Sequence, residues 1–173
     1  RYMVFADNKT VSTKSVEAAP EKVQRHSGSA VISAREYYIN PQEAAEILQV
    51  IGIMGQNGKV KNDMIRKYNQ IDHFVELLDP LLRELADKKE TIHVVDCGCG
   101  KSYLSFVLNY YIKEVLGRKC YFTGLDFNET VIADSRKMAQ RLRYHNMEYI
   151  ETDIMNYVPN KRFDLLLTLH ACD

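Results

Sequence analysis

The sequence has no surplus charge of either sign, no long apolar run and few cysteines. Its 23 Lys and Arg residues balance 23 Asp and Glu residues, so total charge does not indicate a protein built to coat nucleic acid. No apolar run approaches the roughly 20 residues of a membrane span, and we expect no secretory signal. Four cysteines are too few for a disulfide framework. We therefore expect a cytoplasmic protein in a reducing environment.

The remaining composition is that of an ordinary globular protein. Hydrophobic residues make up 46% and charged residues 27% of the 173 positions, which is enough for one well-buried core with a modest extension. The chain starts at Arg1 and stops at Asp173, directly after an apolar run. From these ends we expect a fragment of a longer protein.

The first part of the chain predicts a small extension. Alternating residues between Tyr2 and Ser15 predict a short hairpin. Asn40 and Pro41 form a helix start, because Asn is a good N-cap and Pro suits the first helical position. The turn from Gly55 to Gly58 ends this helix region. We predict an N-terminal extension over residues 1–57 and the main domain over residues 58–173.

The main domain predicts alternating strands and helices. A helix with one apolar stripe starts near Lys61 and should break at Asp79-Pro80, because Pro disfavours helix at the residue before it. The segments that follow are strands and helices in alternation, which predicts a parallel sheet covered on both faces. The strands are Thr91–Val95, Cys120–Leu125, Met147–Ile150 and Phe163–Leu169, and the helices are Ser102–Leu116 and Glu129–Tyr144. The fold class is therefore three-layer, Rossmann-like α/β with an N-terminal helical extension.

A glycine turn joins the first of these strands to its helix, and three interpretations compete for it. A phosphate-binding P-loop needs a glycine where Val95 stands, inside the strand. A dinucleotide fold needs a third glycine where Tyr103 stands, and an acid earlier than Asp126. The third interpretation includes Asp96, which gives an acid at the strand end followed by G-x-G-x-S. This order resembles motif I of class I S-adenosylmethionine-dependent methyltransferases, with Ser102 in place of the last glycine.

Acidic residues after the next two strands favour the methyltransferase interpretation. Asp126 ends the second strand, where nucleotide-binding folds place the acceptor for the ribose hydroxyls. Asp153 follows the third strand, and the resemblance implies that it accepts a hydrogen bond from the adenine amino group while the next backbone N–H meets the ring. Each acid alone suits a turn, a helix cap or a solvated surface. Their order along the chain is what favours a shared cofactor site.

A closer resemblance covers residues 52–173. The glycine turn DCGCGKSYLS from Asp96 to Ser105 and the ending LHACD from Leu169 to Asp173 resemble a poorly characterised group of these methyltransferases, related to a family that modifies transfer RNA. The resemblance implies S-adenosyl-L-methionine as cofactor and RNA as the methyl acceptor. The implied cofactor-binding residues are Asp96, Gly98, Cys99, Gly100, Ser102, Asp126, Phe127, Asp153, Ile154 and Leu169.

The ending of the fourth strand leaves the catalytic chemistry open. It lacks the Asn/Asp-Pro-Pro-aromatic pattern of enzymes that methylate exocyclic amines of adenine or cytosine. The implied catalytic residues are His170 and Asp173, which could orient or deprotonate a nucleophile, although a structural hydrogen bond is the more ordinary role for His170. Cys97, Cys99, His170 and Cys172 could hold zinc, but their spacing is too tight, and we expect no metal. A cofactor-binding module or truncated scaffold without catalysis is the alternative function.

Two surface expectations complete the sequence-based picture. The resemblance implies that a further strand normally flanks the fourth, so Leu165 to Leu169 should form an open edge that pairs with another copy or with a missing part of the chain. Basic residues occur in two clusters, for which ordinary solvation is the default and phosphate contact the alternative. The clusters are Arg136, Lys137, Arg141 and Arg143, and Lys59, Lys61, Arg66 and Lys67.

Overall fold

A computed structural model describes residues 2–6, 11–15 and 37–169, with side chains over 37–169. Its centre is a six-stranded sheet, and the four strands predicted in the main domain are all present. The strands are β1 (Tyr2–Ala6), β2 (Val11–Ser15), β3 (Thr91–Cys97), β4 (Lys119–Asp126), β5 (Met147–Glu151) and β6 (Leu165–Leu169). The predicted hairpin is also confirmed, because β1 and β2 pair antiparallel.

The strand order sets the position of the site. Across the sheet the order is β2-β1-β6-β3-β4-β5, and β3, β4, β5 and β6 run parallel. The chain leaves β3 towards β4 and β5 on one side and returns to β6 on the other. Ligands of such sheets bind outside the carboxyl ends of the strands, where the order reverses. Here that edge carries Asp96 and Cys97 of β3 and Asp126 of β4.

The prediction that β6 is an open edge is wrong. Strand β1 pairs parallel with β6, with Tyr2 opposite Leu165 and Ala6 opposite Leu169, while β3 pairs with its other side. The N-terminal hairpin therefore satisfies the backbone groups that were expected to be free. Because β6 has a strand on each side, it gives no open edge from which self-association through residues 165–169 would be expected.

Within residues 37–169, four helices accompany the sheet: α1 (Ala45–Val50), α2 (Ile65–Lys88), α3 (Tyr103–Tyr110) and α4 (Glu129–Arg141). Short helical turns cover Asn62–Met64 before α2, Tyr111–Val115 after α3 and Ile154–Asn156 after β5. The Asn40 side chain accepts hydrogen bonds from the N–H groups of Gln42 and Glu43. It is not the predicted helix N-cap, however, because the N-cap of α1 is Ala44. The regular helix begins later, at Ala45, because residues 41–44 form a turn.

The predicted break at Asp79-Pro80 is also wrong, because α2 continues through Pro80. A proline in a helix interior costs about 3 kcal/mol. Val75, Leu78 and Leu82, on both sides of it, are fully buried, and burying each such side chain contributes about 1.5–3 kcal/mol. Packing against the core therefore outweighs the local cost.

The helices pack on one face of the sheet and form one large apolar cluster with it. This core takes in Ile47 and Leu48 from α1 as well as Phe106 and Phe122 from the main domain. This cluster spans the predicted boundary between the N-terminal extension and the main domain at residues 57/58. The division of the chain at that position stays a prediction. No helix within residues 37–169 is long and apolar enough to cross a membrane.

The opposite face carries a smaller cluster. Val95, Cys97 and Leu125 are buried there, and Tyr157 and Phe163 pack against them. Strand residues alternate between the two faces, so β3 contributes to both clusters. In the described part of the chain, the segment between β5 and β6 covers this second face.

Candidate functional site

The glycine turn from Gly98 to Ser102 lies at the carboxyl edge of the sheet and leads into α3. Three of its residues adopt the left-handed conformation, with φ of 71° at Gly98, 51° at Gly100 and 55° at Ser102. Glycine enters this region freely, whereas a residue with a Cβ is strained there. The turn therefore needs its two glycines, and Ser102 must be held by other contacts.

Hydrogen bonds within the protein occupy much of the turn's own backbone. The N–H groups of Gly98 and Cys99 both donate to the Leu125 carbonyl, at 2.8 and 3.0 Å, and Ser102 N–H donates to the Cys99 carbonyl at 2.8 Å. Gly100 N–H donates to Asp126 Oδ2 at 2.9 Å. These donors fix the shape of the turn. The N–H groups that a helix start leaves for an anionic ligand are those of the first turn of α3.

Asp96, at the end of β3, is almost completely buried. Its Oδ2 accepts a hydrogen bond from the Ser105 hydroxyl of α3. Burial raises the pKa of Asp96 to about 6; the Ser105 hydrogen bond opposes this rise, and the charge of Asp126 adds to it. A buried carboxylate with one donor is costly to the fold, which is typical of a residue placed for binding rather than for stability.

Asp126, at the end of β4, is directly connected to the turn. Besides the bond from Gly100, its Oδ1 accepts from Asn128 N–H at 2.9 Å. The Asn128 side chain in turn caps α4 by accepting from Val131 N–H. Asn128, and not Asp126, is therefore the N-cap of this helix. Each carboxylate oxygen can accept a second hydrogen bond, which leaves Asp126 able to receive ligand hydroxyls.

Tyr149 of β5 lies beneath the turn. A Cβ placed on Gly124 would meet two atoms of the Tyr149 ring at 2.6 Å and Cys99 Sγ at 3.2 Å, so the ring occupies the space beside this glycine. The Tyr149 hydroxyl is buried and has no hydrogen-bond partner in the described part of the protein. Burial raises the pKa of Tyr149 well above its ordinary value. The nearby Ser102 side chain opposes this rise only in part, so the phenol stays neutral.

The remaining predicted cofactor residues lie at the same edge or just beyond it. Asp153 Oδ1 accepts from Met155 N–H at 2.9 Å and caps the helical turn after β5. Phe127 is 79% and Ile154 37% exposed, although both are apolar. Leu169, the last residue of β6, is half-buried.

The two cysteines beside Gly98 are ordinary thiols: Cys97, at the end of β3, is buried, and Cys99, in the turn, is half-buried. Burial, helped by the charge of Asp96, raises the pKa of Cys97 to about 11 and that of Cys99 to about 12. Protonated thiols are poor nucleophiles and poor metal ligands. Among the described residues no group of three or more metal-type ligands comes together. His170 and Asp173, the predicted catalytic residues, and Cys172 lie outside the described residues.

Three neighbours of the turn were missed at the sequence level: Ser105 on α3, Ser135 on α4 and Tyr149 on β5. The Ser135 hydroxyl lies 2.9 Å from that of Ser102. A serine on a helix carries no pattern that assigns it to a distant turn. Gly124 was the one available signal, because a glycine inside a strand indicates close approach by another group.

Comparison with known proteins agrees with this geometry. A family model described as "Methyltransferase domain" matches residues 66–173, which is more than half of the chain. None of the curated proteins matches.

Solved structures with a similar fold include the following three. YjhP from E. coli is 23% identical, with a TM-score of 0.42, over 56% of this chain and 37% of that one. Coclaurine N-methyltransferase bound to N-methylheliamine and SAH is 20% identical, with a TM-score of 0.47, over 70% and 35%. A SAM-dependent methyltransferase from Thiobacillus denitrificans with S-adenosyl-L-homocysteine is 21% identical, with a TM-score of 0.41, over 56% and 36%.

This chain thus spans little more than a third of each of those three proteins. The family match itself covers the glycine turn and every strand from β3 to β6. It confirms the predicted methyltransferase family, and the chain belongs to the methyltransferase-domain family.

Proposed function

We propose that this chain binds S-adenosylmethionine at the carboxyl edge of its sheet and forms part of a methyltransferase that acts on RNA. The contact between the Gly100 N–H and the Asp126 carboxylate carries the proposal. It joins the glycine turn of β3 to the acid of β4 in one site, as a nucleoside that spans both strand ends requires.

The acceptor groups and apolar side chains at this edge fit S-adenosylmethionine. Asp126 retains acceptor capacity for two ribose hydroxyls, and a carboxylate there repels a ribose phosphate. Phe127 and Ile154 offer exposed apolar surface that the faces of an adenine ring would cover. Asp153 has one acceptor bond to Met155 N–H and can accept another from the adenine amino group. Asp96, Gly98, Cys99, Gly100, Ser102 and Leu169 complete the proposed cofactor-binding set.

The reaction would be an in-line displacement. When bound, S-adenosylmethionine supplies a methyl group on a sulfonium sulfur. The acceptor forms a bond to the methyl carbon while the bond from that carbon to sulfur breaks, and the sulfur leaves as a neutral thioether. The chain's own task is to orient the two reactants, and orientation carries much of the rate in such steps. In the sequence, His170 and Asp173 come one and four residues after the end of β6, and we propose that one of them takes the proton from the acceptor nucleophile.

Free basic side chains near the turn favour an RNA acceptor over a small neutral one. Lys67 Nζ lies 5.9 Å from the ring centroid of Tyr103, the first residue of α3, so the start of α2 adjoins the turn. Four other lysines are paired with carboxylates: Lys88, Lys89, Lys119 and Lys137. Lys113 and Lys161 lie over tyrosine rings. Among the ion pairs of residues 37–169, none involves Lys67, nor Lys101 of the turn, nor Lys59, Lys61 and Arg66, which precede Lys67 in the chain. Such a group would contact phosphates and make binding salt-dependent.

The cofactor proposal is tested by titrating the protein with S-adenosylhomocysteine. Asp126→Ala should weaken binding at least about tenfold, because each lost bond to a charged acceptor contributes about 1.5–3 kcal/mol. Asp134→Ala, on the exposed side of α4, is the matched control and should leave the affinity unchanged. Equal affinities for all three proteins would move the ribose site elsewhere.

The acceptor proposal is tested with labelled methyl groups. The protein should transfer label from S-adenosylmethionine to total RNA, and nuclease but not protease should release it. Charge reversal of Arg66 and Lys67 to Glu should reduce transfer and alter its salt dependence, whereas Lys137→Glu on α4 should not. Label in protein only would refute the RNA acceptor, and cofactor binding without transfer to any fraction would favour a binding module.

The predicted cytoplasmic location also stays a proposal. Cys97, Cys99 and Cys120 are free thiols, as expected in a reducing compartment.

A further inference from the structure

Ser102 combines an unfavourable backbone conformation with a side chain directed away from its own helix. Its φ of 55° and ψ of 19° are left-handed, and it is the N-cap residue of α3. Serine is a favoured N-cap because its hydroxyl usually accepts from the helix's first N–H groups. Here the side chain makes no such bond. The hydroxyl therefore has another role.

The Ser102 hydroxyl is the middle of a chain of three groups. It donates to the Gly100 carbonyl at 3.3 Å and lies 2.9 Å from Ser135 Oγ. A hydroxyl has one proton, so if Ser102 donates to Gly100, Ser135 must donate to Ser102. Both serines are buried, at 2% and 0% exposure, so water does not compete for these bonds.

The chain fixes Gly100 from both sides. The Gly100 carbonyl accepts from Ser102, and the Gly100 N–H donates to Asp126. Both partners connect to α4: Ser102 through Ser135 in that helix, and Asp126 through Asn128, which caps it. The turn and the ribose-binding acid are thereby held in one arrangement by the same helix.

We propose that the buried hydroxyls of Ser102 and Ser135 are positioning groups that hold the glycine turn in its cofactor-binding conformation. The proposal rests on the proposed function, which gives Asp126 and the turn their ligand. A turn that is ordered before binding lowers the cost of ordering it on binding. Removing either hydroxyl should therefore loosen Gly100 in the free protein and weaken the cofactor complex.

The test uses Ser102→Ala, Ser135→Ala and the double variant. Calorimetric titration with S-adenosylhomocysteine should show about three- to tenfold weaker binding for each single variant, as expected for one buried hydrogen bond. The double variant should be no weaker than either single one, because both act through one chain of bonds. Amide hydrogen exchange of the cofactor-free protein should be faster at Gly100 in all three.

Tyr111→Phe is the matched control. The substitution removes one hydroxyl, which donates to Asp79 Oδ1 at 2.5 Å. Tyr111 directly follows α3, at the end of that helix remote from the turn. It should leave cofactor affinity and Gly100 exchange unchanged. If Ser102→Ala does not fold, Ser135→Ala alone tests the positioning role, because Ser135 has the ordinary backbone conformation of a helix interior.

The outcomes separate this proposal from the proposed function. If wild-type protein does not bind S-adenosylhomocysteine, the proposed function fails, and Gly100 exchange still decides whether the serines hold the turn. If wild-type protein binds S-adenosylhomocysteine and the single variants bind it equally well, the positioning role is refuted. It is also refuted if the affinity of the double variant falls by the product of the two single-variant factors. Unchanged exchange at Gly100 also refutes it.

Discussion

Replacing Asp96 with Asn should stabilise the protein at neutral pH and have much less effect in acid. Burial raises the pKa of Asp96 from its ordinary 3.8 to about 6. Because the folded pKa is the higher one, the folded state holds a proton that the unfolded state has released between these values. Stability is therefore lost as pH rises from about 4 to about 6.

The size of the effect follows from the same two values. At about 1.4 kcal/mol for each pH unit, the difference between 3.8 and about 6 corresponds to about 3 kcal/mol. Asn has nearly the shape of a protonated Asp and does not ionise. Asp96→Asn should therefore be more stable than wild type by about 3 kcal/mol at about pH 7.5, and by about 1 kcal/mol at about pH 4.5.

Urea unfolding of both proteins at the two pH values measures this difference. Comparing variant with wild type at each pH removes the contributions of all other titrating groups. Ser105→Ala is the companion variant: the Ser105 hydrogen bond opposes the rise of the Asp96 pKa, so its loss should enlarge the pH-dependent loss of stability. A variant that differs from wild type by the same amount at both pH values would refute the reasoning.

Three further substitutions test the packing. Gly124→Ala should destabilise the protein by about 1–3 kcal/mol, because its Cβ would meet the Tyr149 ring at 2.6 Å; an unchanged melting temperature would contradict that packing. Tyr149→Phe should be neutral or stabilising, since it removes a buried hydroxyl without a partner in residues 37–169; a loss of more than about 1 kcal/mol would reveal a missed partner. Pro80→Ala should stabilise by up to about 3 kcal/mol, because Pro80 is exposed inside α2, and thermal unfolding that shows a loss would count against this reasoning.

The parts of the fold that the sequence predicted are those with strong local patterns. The apolar strands β3 and β4 and the acids after successive strands follow from short-range signals. The break at Pro80 failed because the rule for proline is local, whereas burial of Val75, Leu78 and Leu82 depends on the whole core. The β6 edge failed because pairing with β1 joins segments far apart in the chain.

The site followed the same division. Asp96, Gly100 and Asp126 were predicted, because carboxyl ends of parallel strands meet at one edge. Their internal connections were not, since nothing in the sequence pairs Gly100 N–H with Asp126 or assigns Ser135 to Ser102. The N–H groups of Gly98, Cys99, Gly100 and Ser102 donate within the protein, and no local pattern predicted these bonds.

Calorimetric titration of the unmodified protein with S-adenosylhomocysteine, NADH and ATP in parallel tests the central claim most directly. The turn, the free acceptor capacity of Asp126 and the exposed Phe127 and Ile154 predict saturable binding of S-adenosylhomocysteine and none of the other two. Binding of NADH or ATP without any heat from S-adenosylhomocysteine would contradict the account.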